Sequence, residues 1–311
     1  MDPVILCQHL RKSFGGRPVL AGLDLAVPRG AIFALLGDNG AGKSTTFRIL
    51  TGQIPADGGT ATLLGEDCWR AAQRLRSRVG YCPERPRFYD WMSAGEIGAF
   101  TAAFHPAGYR VRYDALLERF DLPRDAKLGK LSKGGYAKVG LALALASDPE
   151  VLLLDEPTSG LDLFTRREFL SSMAAQAGEG KTILLSSHSV AEVERVVSHV
   201  AFVAQGKLLM AGSLEDLRER LVQVRIQHSG AGFHPDLLGE VIDAQASGRD
   251  WQGIVLNPSP SVLAQMRDAP GIARLETSVP SLEEMYTALL ARYHRRPEQS
   301  AAPARPKEVL S

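Results

Sequence analysis

The chain has 311 residues, 45% of them hydrophobic, and a formal net charge of +1, enough for more than one compact unit and without a global field drawing it to nucleic acid or anionic lipid. Its three cysteines, Cys7, Cys68 and Cys82, form no C-x-x-C pair, which argues against a disulfide framework or a zinc site and fits a reducing, cytosolic setting. No stretch reaches the roughly 20 apolar residues of a spanning helix, the N-terminus has no signal-peptide core, and no basic tract is interleaved with aromatics, so a membrane pore would be a separate polypeptide and no nucleic-acid partner is expected.

Val4–Leu6, Leu23–Val27 and Thr60–Leu64 read as strands of a β-rich lobe reaching to about residue 90. Within it Ala31–Leu36 is a short apolar run suited to a buried strand. The next residues, GDNGAGKST from Gly37 to Thr45, match the phosphate-loop pattern G-x-x-x-x-G-K-[ST]. Gly37, Asp38, Asn39, Gly40, Ala41, Gly42, Lys43, Ser44 and Thr45 would cradle a triphosphate. A strand, a glycine-rich turn and a helix N-terminus aim backbone N–H groups and a helix dipole at an anion. Lys43 is placed for the β/γ-phosphates and the Ser44 hydroxyl for Mg²⁺. No N-K-x-D sequence follows to read guanine, which turns the choice towards ATP.

Residues from about 91 to 130 change to a helical character. Ser93 and Glu96 form a capping box, followed by Ile97, Phe100, Thr101 and Phe104 at helical spacing, and Tyr113–Phe120 is a second amphipathic helix. Phe88, Tyr89, Trp91 and Met92 suit either a partner surface or internal packing. Val151–Leu154 is a buried strand with Asp155 and Glu156 at its C-terminal end, which in an open parallel sheet faces the ligand crevice. Asp155 is placed to hold Mg²⁺ and Glu156 to deprotonate an attacking water. By itself this acidic end equally suits an ordinary strand.

Leu131–Gly135 reads LSKGG, and it resembles the LSGGQ signature of the ATP-binding cassette (ABC) ATPases. Further motifs follow in that family's order. Ser159-Gly160-Leu161-Asp162 resembles the D-loop. Ser186-Ser187-His188, closing the apolar run Thr182–Leu185, resembles the switch-histidine motif. Phe14 stands at the family's adenine-stacking aromatic and Tyr81–Glu84 at its Q-loop; Phe14 also suits a strand-edge core residue. The resemblance covers about residues 1–215. It implies a P-loop NTPase core of α/β class, with a β-rich lobe and a helical subdomain at about 91–130 that receives a permease helix. It also implies a head-to-tail dimer in which Ser132 and the Gly134 and Gly135 amides of one subunit meet the γ-phosphate held by Lys43 of the other. His188 would bond that phosphate and the attacking water. Glu84 would join Mg²⁺, and Asp162 would sit at the shared nucleotide site. The other histidines, His9, His105, His199, His228, His234 and His294, read as surface or incidental.

Two positions depart from the family pattern. Glu84 replaces the Q-loop Gln and adds a third carboxylate near the metal, and Gly135 replaces the signature Gln.

After His188 a helix carries Val190, Val193, Val196 and Val197. A hairpin follows, Ala201–Ala204 and Lys207–Met210 around Gln205-Gly206, and then a helix at Leu214–Leu221. Residues 222–293 read as a small α+β appendage resembling the C-terminal extension of drug-resistance exporter subunits. Its strands are expected at Val222–Ile226, Ile254–Leu256 and Ala273–Glu276, and its helices at Ser261–Met266 and Ser281–Tyr293. The stretch 295–311, rich in Pro, Ala and charge, is expected to be disordered. The leading expectation is an ATP-hydrolysing subunit that uses ATP and Mg²⁺, pairs with a second such subunit, and energises a separate permease from the cytoplasmic face, with a lean to export. The rivals are a soluble cassette ATPase acting on nucleic acid or the ribosome, and a non-hydrolysing regulatory binder suggested by Glu84 and Gly135.

Overall fold

A computed structural model describes residues 3–229 and 234–295. The chain divides into two compact units, Met1–Leu217 and Arg218 onward. The expected tail lies outside the described residues except for Arg295, which closes the last helix.

The first unit is α/β. Its centre is a six-stranded sheet in the order Lys207–Ser213, His199–Ala204, Ile32–Leu36, Thr182–Ser187, Val151–Leu154, Val79–Cys82. The first of these runs antiparallel to its neighbour and the rest pair in parallel. Strands covered on both faces must be apolar along their whole length, and Ile32–Leu36 and Val151–Leu154 are buried at every position. Ile5–Phe14 and Arg17–Val27 pair antiparallel, and Gly58–Leu63 joins them on the other side. The main core lies between this second sheet and the first: Ile5, Leu10, Leu23 and Leu63 meet Phe33, Leu35, Phe47 and Leu50.

The helical expectations are met with different packing. Helix Ala94–Ala102 starts in a complete capping box between Ser93 and Glu96. Phe100 on this helix and Phe104, just beyond its end, do not face the core, being 50% and 73% exposed. The buried side is Ile97, as its spacing implies, together with the small residues Ala94, Gly95 and Gly98. Gly98 sits so close to the Tyr113 ring that a Cβ there would lie 2.1 Å from it, and Tyr113 OH donates to Ala94 O at 2.8 Å. Tyr113 belongs to helix Tyr109–Arg119. Gly98→Ala should therefore lower the melting temperature. The clash costs about 1–3 kcal/mol, more than the ~0.5–1 kcal/mol of helix propensity gained, and a thermal melt followed by circular dichroism checks the sign.

Two histidines expected to be incidental are packed: His105 stacks on Tyr109 at 4.3 Å and His199 on Phe33 at 6.1 Å between ring centroids. The helix after His188 is a single turn, Val190–Val193, although Val190, Val193 and Val197 are buried as their spacing implies. Ser198 N–H then bonds Ile32 O at 2.9 Å, so the chain must leave the helix early to enter the sheet.

The second unit has a four-stranded antiparallel sheet in the order Glu240–Ser247, Asp250–Leu256, Leu221–His228, Ile272–Ser278. One face carries an apolar cluster of Val224, Ile226, Trp251, Val255, Met266 and Leu275. Strand Glu240–Ser247 was not expected. Helices Pro260–Arg267 and Leu282–Arg295 extend the two expected ones by a residue or two at some ends.

Candidate functional site

The phosphate loop begins where the buried strand ends at Leu36. Gly37 has no room for a side chain, since a Cβ would lie 2.5 Å from Val203 O. Gly42 caps helix Lys43–Leu50 at φ 100°, a left-handed conformation that L side chains resist. The first N–H groups of a helix have no partner within it; Thr46 N–H is bonded, to Gly42 O at 2.9 Å. The loop is buttressed from behind, where Gly206 N–H donates to Ala41 O and Ala21 N–H to Gly206 O, both at 3.0 Å. Asp38, Asn39 and Gly40 are exposed, Ser44 and Thr45 half-buried. The cradle is thus rigid on its inner side and open on its outer side.

Lys43 is buried and curls back over the loop. Its Nζ donates to Gly37 O at 2.6 Å and Asp38 O at 3.3 Å, and lies 3.1 Å from Glu156 Oε1. That last contact is an ion pair without hydrogen-bond alignment, and Glu156 Oε1 accepts no hydrogen bond. The other oxygen, Oε2, is 2.7 Å from His188 Nδ1. A carboxylate can only accept, so Nδ1 carries the proton and the tautomer follows from the geometry. Glu156 itself sits at φ 49°, a strained backbone for a residue with a side chain.

Ser186, which had no assigned role in the sequence, organises the acidic pair. Its Oγ accepts from Glu156 N–H at 2.8 Å and donates to Asp155 Oδ1 at 2.7 Å. Burial holds the Asp155 carboxyl above the ordinary aspartate value, against hydrogen bonds from Ser186 and Ser44, with the charges of Glu156 and Glu84 adding to the rise. Ser44 thus lies near Asp155. Glu84 acts on Asp155 through charge only; it is exposed and 3.4 Å from Arg85 Nε. Among the described residues no three His, Cys, Asp or Glu side chains gather into a metal cage. A hydroxyl beside a carboxylate whose charge is poorly compensated fits Mg²⁺, which keeps waters and takes phosphate oxygens rather than an all-protein shell.

Lys43, Ser44, Asp155, Glu156 and His188 therefore form one group. Among the described residues, Phe14, Ser132, Gly134, Gly135 and Asp162 are not joined to this group by any hydrogen bond or ion pair. Ser132 is exposed and caps helix Lys133–Leu145 by accepting Gly135 N–H at 3.1 Å. The Gly135 amide is thus already engaged, whereas the Ser132 hydroxyl keeps its own proton to donate. Gly134 packs on Thr165, with a Cβ position 3.0 Å from Thr165 Oγ1. Asp162 caps helix Leu163–Gly178, accepting Phe164 N–H at 3.0 Å and Thr165 N–H at 2.9 Å. Those bonds hold its carboxyl below the usual range, the Thr165 N–H foremost. Phe14 is 45% exposed with Lys12 Nζ 5.5 Å from its ring centre. It is a surface platform rather than a core residue.

The model of the ABC transporter family matches residues 20–159. The Nod factor export ATP-binding protein I of Rhizobium sp. is 32% identical over 292 residues, 91% of this chain and 95% of that one. The chain belongs to the ABC transporter family. It is an ATP-binding subunit of that family. An uncharacterized ABC transporter ATP-binding protein of Synechocystis sp. is 40% identical over 63% of this chain, a match spanning 56% of the relative's length. A solved ATP-binding subunit of an ABC transporter superposes with a TM-score of 0.64 at 29% identity, covering 70% of this chain and 92% of that one.

Proposed function

We propose that this subunit hydrolyses ATP to ADP and phosphate at two composite sites in a head-to-tail dimer, and that this drives export through a separate permease. The observation that carries the reading is Glu156, strained in backbone, set 3.1 Å from Lys43 and 2.7 Å from His188. Lys43 and the loop amides bind the β- and γ-phosphates. Glu156 takes the proton of the attacking water while His188 orients that water and the γ-phosphate. Ser44, Asp155 and Glu84 would hold Mg²⁺. When bound, that ion neutralises charge on the phosphates. Phe14 stacks on adenine, and Ser132 donates to the γ-phosphate of the partner subunit.

Residues 1–215 act as the nucleotide-binding domain, and 222–293 as an accessory domain. Among the described residues no helix is long and apolar enough to cross a membrane, which supports a separate permease and a peripheral place at the cytoplasmic face. Tyr89 and Trp91, 57% and 69% exposed with rings 5.7 Å apart, suit its docking helix. Met92 and Phe88 do not, being buried and packed on Tyr136 respectively. The export lean rests on the Rhizobium relative, whose name also favours transport over action on nucleic acid.

Mixing tests the shared site. Lys43→Ala and Ser132→Arg proteins are each expected to lose Mg²⁺-dependent phosphate release. Mixed in equal amounts, they should regain part of it, because one of the two sites in a heterodimer is then intact. No recovery, with heterodimers formed, would count against sites shared between subunits.

A further inference from the structure

Two strands form the edges of the sheet in the second unit. Edge strands offer unpaired backbone groups and need a cover or a deterrent. The edge at Glu240–Ser247 has the last helix beside it, through ion pairs of Arg292 with Glu240 and Arg295 with Asp243. At the other edge, Ile272–Ser278 pairs with Leu221–His228 on one side. Among the described residues nothing pairs with its outer side. Only Leu275 and Ile272 of its seven residues are not exposed, and the exposed Val279 follows directly.

The charges on this strand are arranged for one kind of partner. Arg274 and Glu276 are two residues apart, so both lie on the face opposite the apolar cluster, and within the strand they pair with each other. Let a second copy of the strand lie antiparallel about a two-fold axis at Leu275. Arg274 then faces the second copy's Glu276, and Glu276 its Arg274. Both outward faces stay polar and both Leu275 side chains stay on the apolar side. Shifting the axis to residue 274 or 276 sets like charges opposite each other, which is destabilising. One register is selected and its neighbours are rejected.

We propose that Ile272–Ser278 is a self-association edge, by which a second copy of this chain joins the sheet antiparallel across Leu275 and two four-stranded sheets become one. This contact needs no nucleotide and is independent of the composite ATP site.

Sedimentation velocity on the full-length, nucleotide-free protein tests it. A concentration-dependent dimer is expected. Arg274→Glu and Glu276→Arg should each weaken it at least about tenfold, since each sets like charges face to face. The double variant R274E/E276R should restore it to within about threefold, because the complementarity is regained with the signs exchanged. A monomer at all concentrations, or a double variant no tighter than the single ones, overturns the proposal. A second measurement does not depend on charge. A chain carrying both Ala273→Cys and Thr277→Cys should link to its copy through disulfides on treatment with diamide. Either substitution alone should not, because residue 273 lies opposite 277. The native cysteines are buried. Absence of the linked dimer also overturns it. ATP-driven dimerisation of Glu156→Gln in the R274E background is measured alongside, so that a failed nucleotide dimer and a failed sheet contact are read separately.

Discussion

The Glu156→Gln protein is expected to bind ATP and to release phosphate about 10²- to 10⁴-fold more slowly, the range a general base supplies. The amide keeps the shape of the side chain, so the buried pocket, 8% exposed at this residue, stays filled. What changes is twofold. A neutral amide cannot take the proton of water, and the negative charge 3.1 Å from Lys43 Nζ disappears. In the nucleotide-free chain that charge competes with phosphate for Lys43. Its removal should tighten ATP binding while turnover falls. With bound ATP no longer consumed, a stable ATP-containing dimer should accumulate. Single-turnover phosphate release gives the first effect and gel filtration with ATP the second. Retained hydrolysis would remove Glu156 from the role of base, and the non-hydrolysing reading would be tested by the same assay on the unsubstituted chain.

The parts of this site that could be read in the sequence are those whose chemistry is local. The phosphate loop is nine consecutive residues, and the conformations it needs, such as φ 100° at Gly42, are written in the glycine positions. Asp155 and Glu156 follow an apolar run that could only be a buried strand. Ser186 was hidden because its partners are 30 and 31 residues away, and nothing in a serine announces that it bridges two acids. Gly206 was hidden in the same way: as a turn residue it was visible, as the buttress of Ala41 it was not. Periodicity misled at Phe100 and Phe104, where spacing indicated a core face. Ile97 is buried as its spacing implies, while the contact with Tyr113 is made by Gly98 and Ala94, residues too small to register as apolar anchors. Strand Glu240–Ser247 was missed because an edge strand needs little alternation: half of its residues are exposed and only Ile242 is buried. The Ser132 and Asp162 positions were evident, but not that each is a helix N-cap whose bonds fix the side chain.

Lys43→Ala should show that this lysine does two separable things. Charge-assisted hydrogen bonds contribute about 1.5–3 kcal/mol each, so ATP affinity should fall roughly 10- to 150-fold, measured by equilibrium binding of a fluorescent ATP analogue. The second effect is on folding. Lys43 and Glu156 are 5% and 8% exposed, and removing one member of a buried pair leaves the other charge uncompensated. That costs about 3 kcal/mol or more, or roughly 6–12 °C in melting temperature for a unit of this size. The variant combining Lys43→Ala with Glu156→Gln separates the two. Removing both charges should return most of the lost thermal stability, since no unpaired ion is left inside. It should return none of the ATP affinity, since no cation is left to meet the phosphates. If the double variant melts as low as Lys43→Ala alone, the ion pair is not what stabilises the empty site, and the loop bonds to Gly37 O and Asp38 O carry the effect instead.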